Sequence, residues 1–441
     1  MVSDMEIQNM SATQPVSDTP PTLRGDDVNL HEPLAGIRVM DFTMIMSGPM
    51  CTRALADAGA DVIKVEPPTG DTVRRRAPNR SDIGTYFASM NCGKRSIVLD
   101  LATDEGRQTA LLLADKADVL VENFRSGVMK RHGLDFDSLS RRNPRLIYCS
   151  ISGFGQSGPR AHSPAYAPVI HAASGLDMAN MEYQRNAQRP PNNGIFIADV
   201  LAAAHATSAI NLALYDREKT GSGQHIDLSL MESVMGMLIY EIQAAQNPAG
   251  KPRQVYQPVR SKDGFVMVAA VTPKNVAALF DAIDYPQGKA DGRFTTVEAK
   301  EQNWTALLDI IEDWTSQRSG AECEDHLMRA GVPCARYRTV AEAMADPQSE
   351  YRKSFEMVGT SQEPFLVANP PYKLSRCLVR ARQRLPQLGE HTEEVLSEIL
   401  GGRREEAEKR PQSGAAVSRH RIRSAIESSL GTAPKASPAN E

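Results

Sequence analysis

The sequence predicts an α/β protein: a large domain built on a parallel sheet, joined to a smaller α+β domain. Two observations predict it. Between Leu34 and Ser152 the β-branched runs GIRVMDF, DVIKVE, RSIVLDL, DVLVEN and RLIYCSIS alternate with helical segments, and that alternation implies a parallel sheet. From about Gly236 the grammar changes: VYQPVRSKDGFVMVAAV reads as turn and strand, and QNWTALLDIIEDWTSQ sets Trp304, Leu307, Leu308, Ile311 and Trp314 at helical spacing.

In chain order, residues 1–33 are rich in Ser, Thr, Pro and Asp without apolar period, so a disordered extension is expected there. They also lack the basic and apolar regions of a secretory signal. Residues 34–235 form the first part of the large domain, with its first helix closing near Gly59 and a later one capped by Thr103, followed by Asp104 and Glu105. Ligands of such sheets gather at the carboxyl ends of the strands, which here read MIMSGP, EPPTGD, DLATDE, ENFRSG and SGFGQSGP. Residues 236–335 form the small domain. Residues 336–400 return to the large one and finish in LGEHTEEVLSEIL, a helix opening near His391 or Thr392. The charged, Ala/Ser/Pro-rich tail 401–441 is again expected to be disordered.

The 441 residues hold 50 Lys and Arg against 54 Asp and Glu, so no overall charge draws the chain to nucleic acid or to an anionic membrane. The six cysteines, at 51, 92, 149, 323, 334 and 377, form no C-x-x-C pair and no cluster with histidine; they read as reduced thiols, with no metal site. A cytoplasmic enzyme is the expectation. GIFIADVLAAAHATSAINLAL, from Gly194 to Leu214, is apolar, but Ala dominates it and Asp199, His205 and Asn211 interrupt it, which argues against a membrane span. Asp199 is its only carboxylate. The first βα turn, TMIMSGPM, lacks the glycines of a dinucleotide fingerprint, and no Walker motif, G-x-S-x-G elbow or H-E-x-x-H occurs.

The blocks LAGIRVMDFTMIMSGPMCTRALADAGADVIKVEPPTGDTVR, NCGKRSIVLDL, DVLVENFRSGVMKRHGLD, GFGQSGP, KTGSGQHIDLSLME and LGEHT, from about Leu34 to Leu400, resemble the class III CoA-transferases, the family of formyl-CoA transferase and carnitine CoA-transferase. The resemblance implies a Rossmann-like large domain made from both chain ends, a small domain between them and an interlocked homodimer. It implies no permanently bound cofactor; the substrates are acyl-CoA and a free carboxylic acid. The family nucleophile falls on Asp199, which would carry the acyl group as an anhydride and CoA as an aspartyl thioester. A carboxylate is chemically able to attack a thioester carbonyl, and apolar neighbours would keep water from the anhydrides. The bland reading of Asp199 is a buried cap on the helix that follows. CoA contacts carry over to Met46 and Ser47, Leu99 and Asp100, Asn123, Phe124 and Arg125, Arg131 and Tyr166. Arg125 and Arg131 suit phosphates, and Phe124 suits adenine.

The related α-methylacyl-CoA racemases pair their acid with a His-Asp dipeptide where this chain has Tyr166-Ala167. With a pKa of about 10, tyrosine is a poor partner for α-proton exchange, so transfer is favoured over racemisation or epimerisation. A non-catalytic acyl-CoA-binding protein is the alternative from another class, against which the intact Asp199 block argues. His171 reads as a core or helix-surface residue. Met44 and Met46 replace polar residues of formyl-CoA transferase and make oxalate a poorer fit, and Pro67 stands where that enzyme has an arginine. Arg74, Arg75 and Arg76 form a charge run that reads as a solvated face or as a substitute for it.

Overall fold

The computed structural model describes residues 30–80, 83–184, 187–247, 254–359 and 363–401. The expected disordered extensions lie outside these residues, apart from Leu30–Pro33 and Gly401. The described chain forms two compact units: one of the residues up to Met181, Ala187–Ile239 and those from Lys353 onward, the other centred on Tyr240–Arg352.

The larger unit holds a six-stranded sheet of β1 (Arg38–Asp41), β2 (Asp61–Glu66), β3 (Arg95–Val98), β4 (Val119–Glu122), β5 (Ile147–Ser152) and β6 (His225–Ser229). Its order is β3-β2-β1-β4-β5-β6. All neighbours pair in parallel, with Val39 of β1 between Val62 and Val119. Strand order reverses between β1 and β4, and at such a switch point the two connections leave to opposite faces and open a crevice at the carboxyl ends. The first five strands are the runs expected from sequence. The sixth, HIDLS, has only Leu228 and Ser229 buried and so lacks the continuous apolar signature of an inner strand.

Helix α1 (Ser47–Asp57) follows β1 and ends before Gly59, whose φ is +105°. A Cβ at Gly59 would also stand 2.4 Å from Cβ of Glu32, so both conformation and space require glycine. Helix α2 (Asp104–Ala114) opens on Thr103, whose hydroxyl accepts from the Gly106 N–H, as expected. Helices α3 (Ala167–Ala173) and α4 (Ile197–Thr220) complete the wall beside the crevice. In α4, Ala198, Ala202, Ala203, Ala206, Ile210 and Ala213 are buried in one apolar cluster with Cys51 and Leu55 of α1 and Val39, Val119 and Cys149 of the sheet. Small side chains let the backbone approach closely, which explains the alanine richness. By length and composition α4 could cross a membrane, with mean hydropathy 1.4, yet its alanine stripe packs onto this sheet.

From Lys353 the chain is again part of the larger unit, and it ends in helix Thr392–Leu400. The His391 N–H donates to the Ser96 carbonyl at 2.9 Å, and the Val98 N–H to the Thr392 hydroxyl at 3.1 Å, which seats the helix beside β3. The smaller unit has an antiparallel sheet in the order Cys334–Arg336, Gly264–Val268, Val259–Ser261. Helix Trp304–Thr315 buries Trp304, Leu307, Leu308, Ile311 and Trp314, the five residues its spacing singles out. This unit runs to Arg352, past the expected boundary at 335. Arg338 explains the difference: it pairs with Glu324 at 2.9 Å and Asp346 at 3.6 Å, tying the segment beyond 336 to helix Gly320–Arg329.

Candidate active site

A cavity of about 850 Å³ opens at the carboxyl ends of β1, β4 and β5, where the strand order predicts one. Met46, Ser47, Asn123, Phe124, Arg125, Tyr166 and Asp199 line it. Leu99, Asp100 and Arg131 do not. Leu99 is buried in an apolar cluster with Ile63 and Val65. Asp100 accepts from the Ala102 N–H at 2.9 Å in the turn before α2, and Arg131 is exposed in the last turn of Val128–Arg131.

The rest of the site leans on the loop after β1. Ile45 sits at φ +72°, a left-handed conformation that costs a β-branched residue about 1 to 3 kcal/mol and persists only where its surroundings enforce it. They do. The Ile45 N–H faces the Asp71 carboxylate at 3.3 Å, and buried Lys64 pairs with Asp71 at 3.1 Å while donating to the Thr43 carbonyl at 2.8 Å. On the other side Asn123 clasps Met44, accepting from its N–H and donating to its carbonyl, both at 2.8 Å. Underneath, the Lys94 ammonium reaches Asp41 at 2.9 Å, the Pro49 carbonyl at 2.9 Å and the side chains of Thr52 and Asn91 at 2.8 Å. Burial alone would raise Asp41, yet Lys94 and Lys64 bring it down to about 2. Burial dominates at Lys94, whose ammonium is lowered to about 8.

This framework presents Ser47, at the start of α1, to Asp199. Asp199 is the third residue of α4, whose N-cap is Phe196, so the carboxylate lies inside the first turn rather than capping it. Burial raises its pKa above 3.8, and the neighbouring Ser47, through its hydroxyl and N–H, opposes that rise. The Asn123 amide donates to the Ser47 hydroxyl at 3.3 Å and so holds Ser47 beside Asp199. Part of the lining is basic. Arg74 is taken by Glu66 at 2.7 and 2.5 Å and lies over the Phe87 ring, whereas Arg75 and Arg76 line the cavity. Arg76 lies 5.6 Å from the centre of the Tyr86 ring, and the Tyr86 hydroxyl donates to the Met46 sulfur at 3.3 Å. Sequence reasoning gave no role to Tyr86 or to the Lys64–Asp71 pair, although both members of the pair lie in the quoted runs DVIKVE and EPPTGD; the one available signal was Lys64, a charge inside a β-branched strand.

The family model described as CoA-transferase family III matches residues 34–392. The chain belongs to that family. It is 33% identical over 389 residues to a succinyl-CoA:mesaconate CoA-transferase of Haloarcula hispanica, covering 83% of this chain and 96% of the relative. It is 36% identical over 332 residues to an acetyl-CoA:oxalate CoA-transferase of Acetobacter aceti, covering 73% of this chain and 84% of the relative. A CAIB/BAIF family protein from Brucella suis superimposes with a TM-score of 0.74 at 32% identity, covering 84% of this chain and all of that one. The protein is therefore a CoA-transferase. Among the described residues of this CoA-transferase, no three His, Cys, Asp or Glu side chains gather in a way that could hold a metal ion.

Proposed function

We propose that this CoA-transferase moves CoA from an acyl-CoA to a free carboxylic acid through covalent intermediates on Asp199. The observation that supports it is the Asp199 carboxylate on the cavity wall, partly desolvated and oriented by Ser47. The carboxylate attacks the thioester carbonyl, expelling CoA thiolate and forming an acyl-aspartyl anhydride. The thiolate attacks the aspartyl carbonyl, which gives an aspartyl-CoA thioester and releases the donor acid. The acceptor carboxylate displaces CoA from this thioester to make a second anhydride. The freed thiolate then takes the acceptor's acyl group and regenerates Asp199. Met46, Phe196 and Leu230 supply apolar surface that keeps water from the anhydrides.

For CoA itself, Asn123, Phe124 and Arg125 at the end of β4 are the contacts we favour, with Arg131, Leu99 and Asp100 farther from the cavity. The acceptor is proposed to be a dicarboxylic acid longer than oxalate. Relatives are named for mesaconate and oxalate, Arg75 and Arg76 offer cations to a distal carboxylate, and Met44 and Met46 suit the methylenes between. Proton exchange at the acyl α-carbon is disfavoured, because Tyr166 stands where a base is needed and the buried His171 ring accepts from the Ala198 N–H. A homodimer accounts for Ile195, Leu212 and Tyr215, which are 69%, 68% and 64% exposed although large and apolar.

A panel of acyl-CoA donors and acids, read by mass for new thioesters, tests the reading. Succinate should be a better acceptor than butyrate or oxalate, and α-methylacyl-CoA incubated in D2O without an acid should stay protonated at the α-carbon. Deuterium uptake with no thioester exchange would refute transfer.

A further inference from the structure

The entry of α4 is fixed by a residue outside it. Phe196, at the N-cap, has no side-chain acceptor, and the Ile197 N–H is taken by the Ile195 carbonyl at 2.9 Å. The next amide, on Ala198, is buried and immediately precedes Asp199. It donates to Nε2 of His171 at 3.1 Å. His171 is 1% exposed on α3, the same short helix that presents Tyr166 at its N-cap to the cavity. The Ser174 hydroxyl donates back to the His171 carbonyl at 3.2 Å, which closes the last turn of α3. An Nε2 that accepts has no proton, so the ring is the neutral tautomer with its hydrogen on Nδ1. Burial, which lowers the His171 pKa against the pull of Asp177, favours that neutral ring.

We infer that His171 is a positioning residue for transfer: its Nε2 clamps the Ala198 N–H and so fixes the first turn of α4 and the direction of the Asp199 carboxylate toward Ser47 and the thioester. The inference rests on Asp199 being the nucleophile. Without the acceptor, a buried N–H is left unpaired, and the turn relieves this by rotating or fraying. Misplacing an attacking group by about 1 Å costs about 100-fold in rate, while the walls that hold CoA, at the ends of β1 and β4, do not depend on this hydrogen bond.

The test compares His171→Leu, which keeps apolar volume without an acceptor, with His171→Gln, whose amide oxygen can take the same N–H. Activities are referred to the folded fraction measured by circular dichroism. His171→Leu should lower kcat about 10- to 100-fold with the KM for acyl-CoA unchanged, and His171→Gln should restore kcat to within about threefold. Hydroxylamine trapping of the acylated Asp199 peptide is followed in parallel and should slow in His171→Leu by the same factor as kcat. Trapping at the wild-type rate in His171→Leu overturns the inference, and so does a His171→Gln variant as slow as a leucine variant or slow in its own right. A wild-type enzyme that transfers CoA without any trapped Asp199 peptide overturns the nucleophile itself, a separate outcome.

Discussion

In the larger unit Asp41, Lys64, Glu66, Asp71 and Lys94 are all buried, and they pair with one another or with Arg74 beneath the loop that faces Asp199. In the smaller unit the one buried charged side chain among the described residues is Lys300, whose Nζ meets the Val271 carbonyl at 3.1 Å instead of a carboxylate. Its interior is otherwise aliphatic and aromatic apart from Cys323, Cys334 and Thr315, and three of its helices begin with reciprocal capping boxes at Thr272, Ser319 and Thr339. Buried ion pairs rarely add net stability, whereas apolar packing and caps do. The larger unit therefore gives up stability to hold Ile45 left-handed and Ser47 beside Asp199. Among its described residues the smaller unit has no buried ion pair.

The comparison predicts where function and stability separate. Asp199→Asn should cut transfer by about 10⁴ or more, because a covalent route is lost rather than a contact. Its unfolding midpoint at neutral pH should stay level or rise, since burial already disfavours the carboxylate. A variant that keeps a few per cent of activity would make Asp199 structural. Lys94→Met leaves Asp41 buried without its closest cation and should cost about 3 to 5 kcal/mol in denaturant unfolding, with kcat falling as the loop loosens. Unchanged kcat in the folded fraction would detach the charge network from the site. Ile311→Ala in the smaller unit should cost about 2 to 4 kcal/mol yet leave kcat unaltered well below the unfolding temperature.

The smallest effect is pH-dependent. Burial raises Glu122, at the end of β4, from 4.5 to about 7, opposed by the neighbouring Ser150 and by a hydrogen bond from the Phe124 N–H at 2.8 Å. A folded pKa above the unfolded one gives stability that is full below pH 4.5 and fades as pH rises through 7. Glu122→Gln should therefore match wild type at pH 4 and exceed it at pH 8, by no more than about 3 kcal/mol. Equal midpoints at both values would place the Glu122 charge in solvent.

The sequence made the sheet readable where both faces of a strand are buried, because GIRVMDF or RLIYCSIS then has no polar alternation; β6, with one half exposed, was hidden for the same reason. Asp199 was legible as the lone carboxylate of an alanine stripe. Met46, Ser47 and Asn123 were legible as strand-end residues, and they do converge on the cavity. Leu99 and Asp100 end a strand as well, but β3 is at the sheet edge, two strands from the switch point, and strand ends alone carry no information about distance across a sheet. Arg76, Tyr86 and His171 depend on which long connection folds back over which strand. Only tertiary structure supplies that.

The account stands on oxygen passing through Asp199, and this can be measured. When acceptor acid labelled with ¹⁸O in its carboxylate is turned over with unlabelled acyl-CoA, the second anhydride leaves an acceptor oxygen on the enzyme. Mass analysis of the peptide containing Asp199 should show heavy oxygen at that residue and nowhere else. New acyl-CoA forming while Asp199 stays unlabelled would contradict the covalent route and return Asp199 to a structural role.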